Sequence, residues 1–293
     1  MQRNAKFGTC LLLFSLTALL CAADKKPWKD ASIQVGDIKI HYIEAGAGDH
    51  TLVFIPGWMM SAEVWKEQFP YFSSRGYRVI AYDPRSQGLT TKSEEGNTYH
   101  QHAADLLAFM KAVKVERSQT TLIGWSAGVT TLLEYAASPE TSMPAHFVFV
   151  DGGPMARKET DYPGGMTIQQ ARTLALSLQG DSAKAIEQIV RGMFRAQQGE
   201  LLYREITDGC RKTPPNTAVA LFFDMFTGDR RNALGRISAP SLIITTDANR
   251  LAGEYMQSKI QGSKLEVISA GHALFLEKPQ AFNQTLEAFL TSF

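Results

Sequence analysis

The sequence predicts an α/β fold: a mostly parallel, eight-stranded sheet with helices on both faces and a helical block inserted between two of its strands. Two observations predict it. Short apolar runs rich in Val, Ile and Phe alternate with helical patterns, the β-α-β-α order of parallel strands joined by crossover helices. The alternation then stops, helical segments without a convincing strand occupy residues 153–238, and the sheet pattern resumes at Ser241.

The elements follow in order. Residues 33–43 alternate about Gly36 and open the chain with a hairpin. Thr51–Ile55 is a buried strand, Ala62–Arg75 a helix and Tyr77–Tyr82 the next strand. Tyr99–Val115 carries apolar residues at Leu106, Leu107, Met110 and Val113, a helical face. Thr120–Ile123 is a strand, with a helix from Ser126 to about Ala137, and Phe147–Val150 is a strand again. Pro163-Gly164-Gly165, Gly180, Gly199 and Pro214-Pro215 punctuate the helical block. Ser241–Thr246, a helix, Leu265–Ile268 and a closing helix over Pro279–Phe293 complete the sheet. One core domain is therefore built from residues 24–152 and 239–293, split by the insertion 153–238. A connection that long is usually functional or forms a subdomain of its own.

Composition bounds the partners. The 293 residues are 44% hydrophobic and 20% charged, ordinary for a globular chain with a sizeable core. Lys and Arg number 30 against 29 Asp and Glu, and no like-charge block stands out, so nucleic acid is not an expected partner. The sequence carries no signal of oligomeric state.

Residues 1–23 read as a signal peptide. Arg3 and Lys6 give a basic start, Gly8–Leu20 is an apolar run, and the small residues Cys21 and Ala23 suit cleavage before Asp24. The run is shorter than the roughly 20 residues a spanning helix needs, so no stable membrane insertion is expected after cleavage. The expected location is exported, periplasmic or secreted. A lipoprotein acylated at Cys21 fits less well, because Leu20 is bulky where a small residue is expected. Cleavage removes Cys10 and Cys21 and leaves Cys210 alone, which excludes an internal disulfide. Cys210, in Asp208-Gly209-Cys210-Arg211, lacks any nucleophile pattern and reads as a packing thiol.

Gly124-Trp125-Ser126-Ala127-Gly128 carries the chemistry. This G-x-S-x-G follows a predicted strand and opens a predicted helix, the context the motif requires. A nucleophile on so sharp a turn needs small neighbours, and the helix start offers free N–H groups and a positive dipole end. Among the histidines, His272 follows the strand Leu265–Ile268 in Gly271-His272. His41, His50, His100, His102 and His146 have no such setting. His100 and His102, two apart with no carboxylate or Cys cluster, read as surface residues and not as a metal pair.

The strand–Gly-x-Ser-x-Gly–helix unit resembles the nucleophile turn of the α/β-hydrolase superfamily, and the resemblance covers nearly all of the chain after residue 23. It implies Ser126 as nucleophile and His272 as general base, the latter in the segment running to Phe275-Leu276-Glu277-Lys278-Pro279. Pro56-Gly57-Trp58 looks like the family's oxyanion loop, with Pro56 where a His is usual. The backbone N–H groups of Trp58 and Ala127 would then hold the oxyanion. Asp83-Pro84-Arg85-Ser86-Gln87-Gly88 resembles a structural turn of the family and is assigned no chemistry. The acid departs from the pattern: the stretch that is usually Gly-Asp-x-Asp reads Thr246-Asp247-Ala248-Asn249, with Asn249 at the acid position. Asp151, ending the strand before the insertion, is the first alternative, since some branches of the superfamily keep their acid there. Asp247 is the second. A chain with no functional acid is the third.

These implications converge on acyl transfer to water, with a small-molecule ester as substrate and neither metal nor organic cofactor. The insertion 153–238 looks like a cap whose apolar residues, Met155, Tyr162 and Met166 among them, share an acyl pocket with Trp58, Met59 and Trp125. Lactonase, C–C hydrolase and cofactor-free perhydrolase activities are the alternatives within the superfamily. A ligand-binding sensor with a degenerate triad is the alternative outside catalysis. Serine at position 126 argues against dehalogenase and epoxide hydrolase chemistry, which use Asp there.

Overall fold

The computed structural model describes residues 26–293; the signal-peptide expectation for residues 1–23 lies outside the described residues. The β-branched and aromatic runs form eight strands: β1 (Lys29–Val35), β2 (Ile38–Ala45), β3 (Thr51–Ile55), β4 (Arg78–Tyr82), β5 (Thr120–Trp125), β6 (His146–Val150), β7 (Ser241–Thr246) and β8 (Lys264–Ile268). Their order in the sheet is β1-β2-β4-β3-β5-β6-β7-β8. The β1–β2 hairpin and the β2–β4 pair are antiparallel, and every pairing from β4 to β8 is parallel. Strands β3, β5, β6 and β7 are buried along their whole length, as continuous apolar runs covered on both faces must be.

Between the strands lie α1 (Gln68–Ser73), α2 (Tyr99–Ala112) and α3 (Ala127–Ala137). Between β6 and β7 lie α4 (Ile168–Gly180), α5 (Ser182–Gly192), α6 (Glu200–Arg211), α7 (Pro215–Thr227) and α8 (Arg231–Leu234). The chain closes with α9 (Arg250–Lys259), α10 (Leu274–Glu277) and α11 (Pro279–Leu290). Local chemistry sets several starts. Thr98 accepts a hydrogen bond from the Gln101 N–H at the head of α2, Thr167 and Gln170 form a reciprocal capping box on α4, and Pro215 opens α7.

The helix expected over Ala62–Arg75 is broken. A 3₁₀ turn covers Ala62–Trp65 and α1 begins only at Gln68. Pro70 explains the break: it has no N–H for the Lys66 carbonyl and its ring would clash there, so it is tolerated only in a first turn. His102 is also corrected. It is 2% exposed, whereas the His100 side chain is 80% exposed. His102 lies on the stripe Tyr99, Ala103, Leu106, Phe109 and Met110 that α2 turns to the core, and burial pushes its imidazole down to about 4.

Two apolar cores sandwich the sheet. On one side Trp65 stacks on Phe275 at 4.0 Å between ring centres, beside Phe54 and Phe282. On the other Tyr82 stacks on Phe109 at 4.9 Å, with Leu106 and Phe147 in the same core. Each such side chain contributes ~1.5–3 kcal/mol by leaving water, so these layers hold the strand ends in fixed positions. Cys210 is fully buried with its Sγ 3.6 Å from Met60 Sδ, and burial pushes the thiol up to about 12. Among the described residues no helix is long and apolar enough to cross a membrane.

Candidate active site

The parallel register places the chemistry. Trp125 pairs with Val150, and Val150 with Ile244. The next residues of these strands, Ser126, Asp151 and Thr245–Thr246, therefore emerge side by side at the carboxyl edge of the sheet, where ligands of α/β sheets bind. Their places are pinned by main-chain bonds: the Ser126 N–H donates to the Val150 carbonyl at 2.9 Å and the Asp151 N–H to the Ile244 carbonyl at 2.8 Å.

Ser126 sits between β5 and α3 with φ 54° and ψ −115°. A non-glycine residue held at positive φ costs ~1–3 kcal/mol and persists only where its surroundings enforce it. Here they do. A Cβ on Gly124 would lie 2.5 Å from the Gly128 carbonyl oxygen, and one on Gly128 would lie 2.5 Å from that of Ile55. Only glycine at both positions lets the strand, the helix and β3 approach closely enough to hold the serine on its turn.

Asp151, also at positive φ and 3% exposed, is met by five hydrogen-bonding groups. Its Oδ1 accepts from the Thr245 hydroxyl (3.0 Å), the Thr246 N–H (2.8 Å) and the Thr246 hydroxyl (3.0 Å). Its Oδ2 accepts from the Asn249 side-chain amide (2.9 Å) and faces His272 Nδ1 at 2.7 Å. Burial is the largest single influence and pushes the carboxyl up. The hydrogen bonds and charge of His272, with those of Thr246 and Asn249, outweigh it and hold the group below the usual carboxylate value. An ionised Asp151 can only accept, so the proton between it and His272 belongs on Nδ1 and leaves Nε2 free to take another.

His272 is fixed from three sides. The Trp125 indole N–H donates to the His272 carbonyl at 2.9 Å, with the two rings 5.2 Å apart. The Ala273 N–H donates to the Met193 carbonyl at 3.0 Å. The Glu277 carboxylate gathers the N–H groups of Gly271 (2.9 Å), Arg195 (2.9 Å) and Ala196 (3.2 Å), tying the histidine loop to the α5–α6 connection. Ser126, Asp151 and His272 line one cavity of about 230 Å³. No hydrogen bond joins the Ser126 hydroxyl to His272 in this structure, and such bonds commonly form only as substrate is engaged.

The other expected residues fall into place or out of it. Asp247 is exposed, accepts from Ser269 (2.7 Å) and Arg195 (3.1 Å), and does not meet His272. Asn249, at the position expected for an acid, donates its side-chain amide to Asp151. Among the described residues the N–H groups of Trp58 and Ala127 donate to no protein acceptor, while the neighbouring Met59 N–H is bound to Gln87 Oε1 at 2.6 Å. The expected pocket side chains are corrected. Met59 and Trp125 are each 1% exposed and belong to the core beneath the site, and Trp58 spends its indole N–H on the Ala218 carbonyl of α7 (2.9 Å) while packing on Phe222. The cavity wall is made by Gly152, Gly153, Met155, Ala156, Tyr162, Gly164–Met166, Thr130, Met225 and Ala252, among them the expected Met155, Tyr162 and Met166. The threonine pair and Asn249 that serve Asp151, and the Glu277 knot, were missed from sequence. No spacing rule marks them, since they meet only through strand register and loop folding. Among the described residues no group of three His, Cys, Asp or Glu side chains is arranged to hold a metal ion.

Residues 52–285 match the Alpha/beta hydrolase family. The chain is 25% identical to the serine hydrolase BPHL of Homo sapiens, an alignment covering 89% of this chain and 86% of that protein. It is 28% identical to 3-oxoadipate enol-lactonase 2 of Acinetobacter baylyi, covering 88% and 95%. Among solved structures it resembles a bromoperoxidase from Bacillus anthracis with TM-score 0.83 and 26% identity, covering 90% of this chain and all of that one.

Proposed function

Because the chain belongs to the alpha/beta hydrolase family, we propose that it is a serine hydrolase cleaving small to medium carboxylic esters through an acyl-enzyme. His272 Nε2 takes the proton of the Ser126 hydroxyl as its oxygen attacks the ester carbonyl. The N–H groups of Trp58 and Ala127 receive the oxyanion of the tetrahedral intermediate. His272 then protonates the departing alcohol, and afterwards removes a proton from the water that releases the acid. Asp151 keeps the imidazole in the useful tautomer and stabilises the imidazolium formed in each half-reaction.

The observation that carries this reading is the 2.7 Å contact of Asp151 Oδ2 with His272 Nδ1, in the cavity that Ser126 also lines. The free N–H groups beside the serine turn support it, since a dipole array left unpaired in the ground state is ready for developing charge. Lactone hydrolysis is the second reading, favoured by the likeness to an enol-lactonase over most of both chains. It uses the same residues, with the leaving alcohol tethered to the acyl group.

The test is a panel of p-nitrophenyl esters of increasing acyl length, run beside simple five- and six-membered lactones, on residues 24–293. Turnover of short and medium esters at kcat of roughly 1 per second or more is the expected result. Turnover of lactones alone would shift the proposal to the second reading. No turnover of either class would overturn both.

A further inference from the structure

Thr130 and Tyr162 share the cavity of Ser126 and His272, and both are almost wholly buried, at 4% and 3% exposed. Among the described residues neither hydroxyl makes a protein hydrogen bond, and neither oxygen is sealed from solvent although the rest of each side chain is buried, so both remain able to pair with a molecule in the cavity. Thr130 lies four residues beyond Ser126 on α3, hence on the same helix face. Its neighbour Thr131 behaves ordinarily and donates back to the Ala127 carbonyl at 3.5 Å.

Tyr162 is placed with equal care. A Cβ on Gly153 would stand 2.2 Å from its hydroxyl oxygen, and one on Gly164 would stand 2.9 Å away. Two glycines of the cavity wall thus keep open the space its hydroxyl fills, and Tyr255 packs edge-on against the ring at 5.2 Å. Burial pushes this phenol up to about 12, so it stays protonated and able to donate. The rest of the wall is largely Met155, Met166, Met225 and small residues, with no lysine or arginine. The carboxylate of Asp151 is already occupied by its own donors. A substrate arm entering here meets two hydroxyls without hydrogen bonds of their own, in a chamber whose wall beyond the Ser126, Asp151, Asn249 and His272 group is methionine and small residues.

We propose that Thr130 and Tyr162 form a hydrogen-bonding subsite selecting uncharged ester or lactone substrates that carry an ether, hydroxyl or keto oxygen on the arm entering this cavity. The inference rests on the reading of Ser126 and His272 as the acyl-transfer pair. A purely alkyl arm would leave both hydroxyls buried and unpaired, the situation in which hydrogen-bonding sites discriminate best. A carboxylate-bearing arm would find no lysine or arginine in the wall.

The experiment uses matched pairs in which oxygen replaces one methylene. p-Nitrophenyl 3-methoxypropanoate against the pentanoate probes the acyl arm. 2-Methoxyethyl acetate against butyl acetate probes the alcohol arm. The ratio of kcat/KM within a pair is measured for the wild type, Thr130→Val, Tyr162→Phe and the double variant. Comparing ratios cancels the intrinsic reactivity of each ester, and both substitutions keep side-chain shape. In one of the two pairs the ether preference should fall about fivefold to tenfold in the double variant, and by less in each single one. Ratios unchanged in both pairs would overturn the subsite and leave the acyl-transfer reading standing. A wild-type protein that turns over none of the four esters would remove that reading and the subsite with it.

Discussion

Ser126→Ala is expected to lower kcat on any ester the protein hydrolyses by about 10⁶-fold, the scale on which serine triads lose activity when the nucleophile is removed. The loss should be chemical and not structural. The Ser126 side chain makes no hydrogen bond among the described residues, and its backbone is held by the Val150 carbonyl and by the close approach at Gly124 and Gly128. None of these depends on the hydroxyl, so the variant should melt within a few degrees of the wild type. Thermal denaturation beside steady-state kinetics checks both halves. More than a few per cent of residual turnover in the folded variant would rule out Ser126 as nucleophile.

Asp151→Asn is the second large effect, expected at about 10⁴-fold in kcat. Five groups point at this carboxylate: three around Oδ1, then Asn249 and His272 at Oδ2. An asparagine that keeps its oxygen toward Thr245 and Thr246 must turn its NH₂ toward the Asn249 amide and His272 Nδ1. Nδ1 then becomes the acceptor, the ring proton moves to Nε2, and the nitrogen that should receive the Ser126 proton is blocked. Asp247→Asn, by contrast, removes only an exposed partner of Arg195 and Ser269 and should change kcat by less than about twofold. Asn249→Asp should not rescue Asp151→Asn, because Asn249 meets the site through position 151 and not through His272. Single-turnover kinetics on the three variants measures the contrast. A kcat of Asp151→Asn within tenfold of wild type would show that His272 needs no carboxylate at position 151.

How much of this was legible in the sequence differs between the sheet and the site. The strands β3, β5, β6 and β7 announce themselves as apolar runs because both their faces are covered, and the turn at Ser126 because only glycine fits on either side of it. For the acid the sequence leaves Asp151, Asp247 and no functional acid open. The choice depends on which strand end lies beside His272, a fact of register that spacing along the chain does not contain. His102 was legible in principle: its position on the stripe with Tyr99 and Leu106 outranks its polarity. The pocket was legible in part: Met155, Tyr162 and Met166 of the insertion do line the cavity, whereas Trp58, Met59 and Trp125 do not. Met59 and Trp125 adjoin Ser126 or its oxyanion loop in sequence, but both side chains are buried in the core beneath the sheet edge, while most of the cavity wall comes from the segment after Asp151.

The central claim is that Ser126 forms a covalent bond to the reacting centre of its substrate with His272 as base. A fluorophosphonate captures that step irreversibly, since only an activated serine displaces fluoride. Intact-mass analysis followed by peptide mapping should find a single phosphonylated site at Ser126, formed much more slowly in His272→Ala and Asp151→Asn. No adduct on the folded wild-type protein, or an adduct mapping to a residue other than Ser126, would contradict the account.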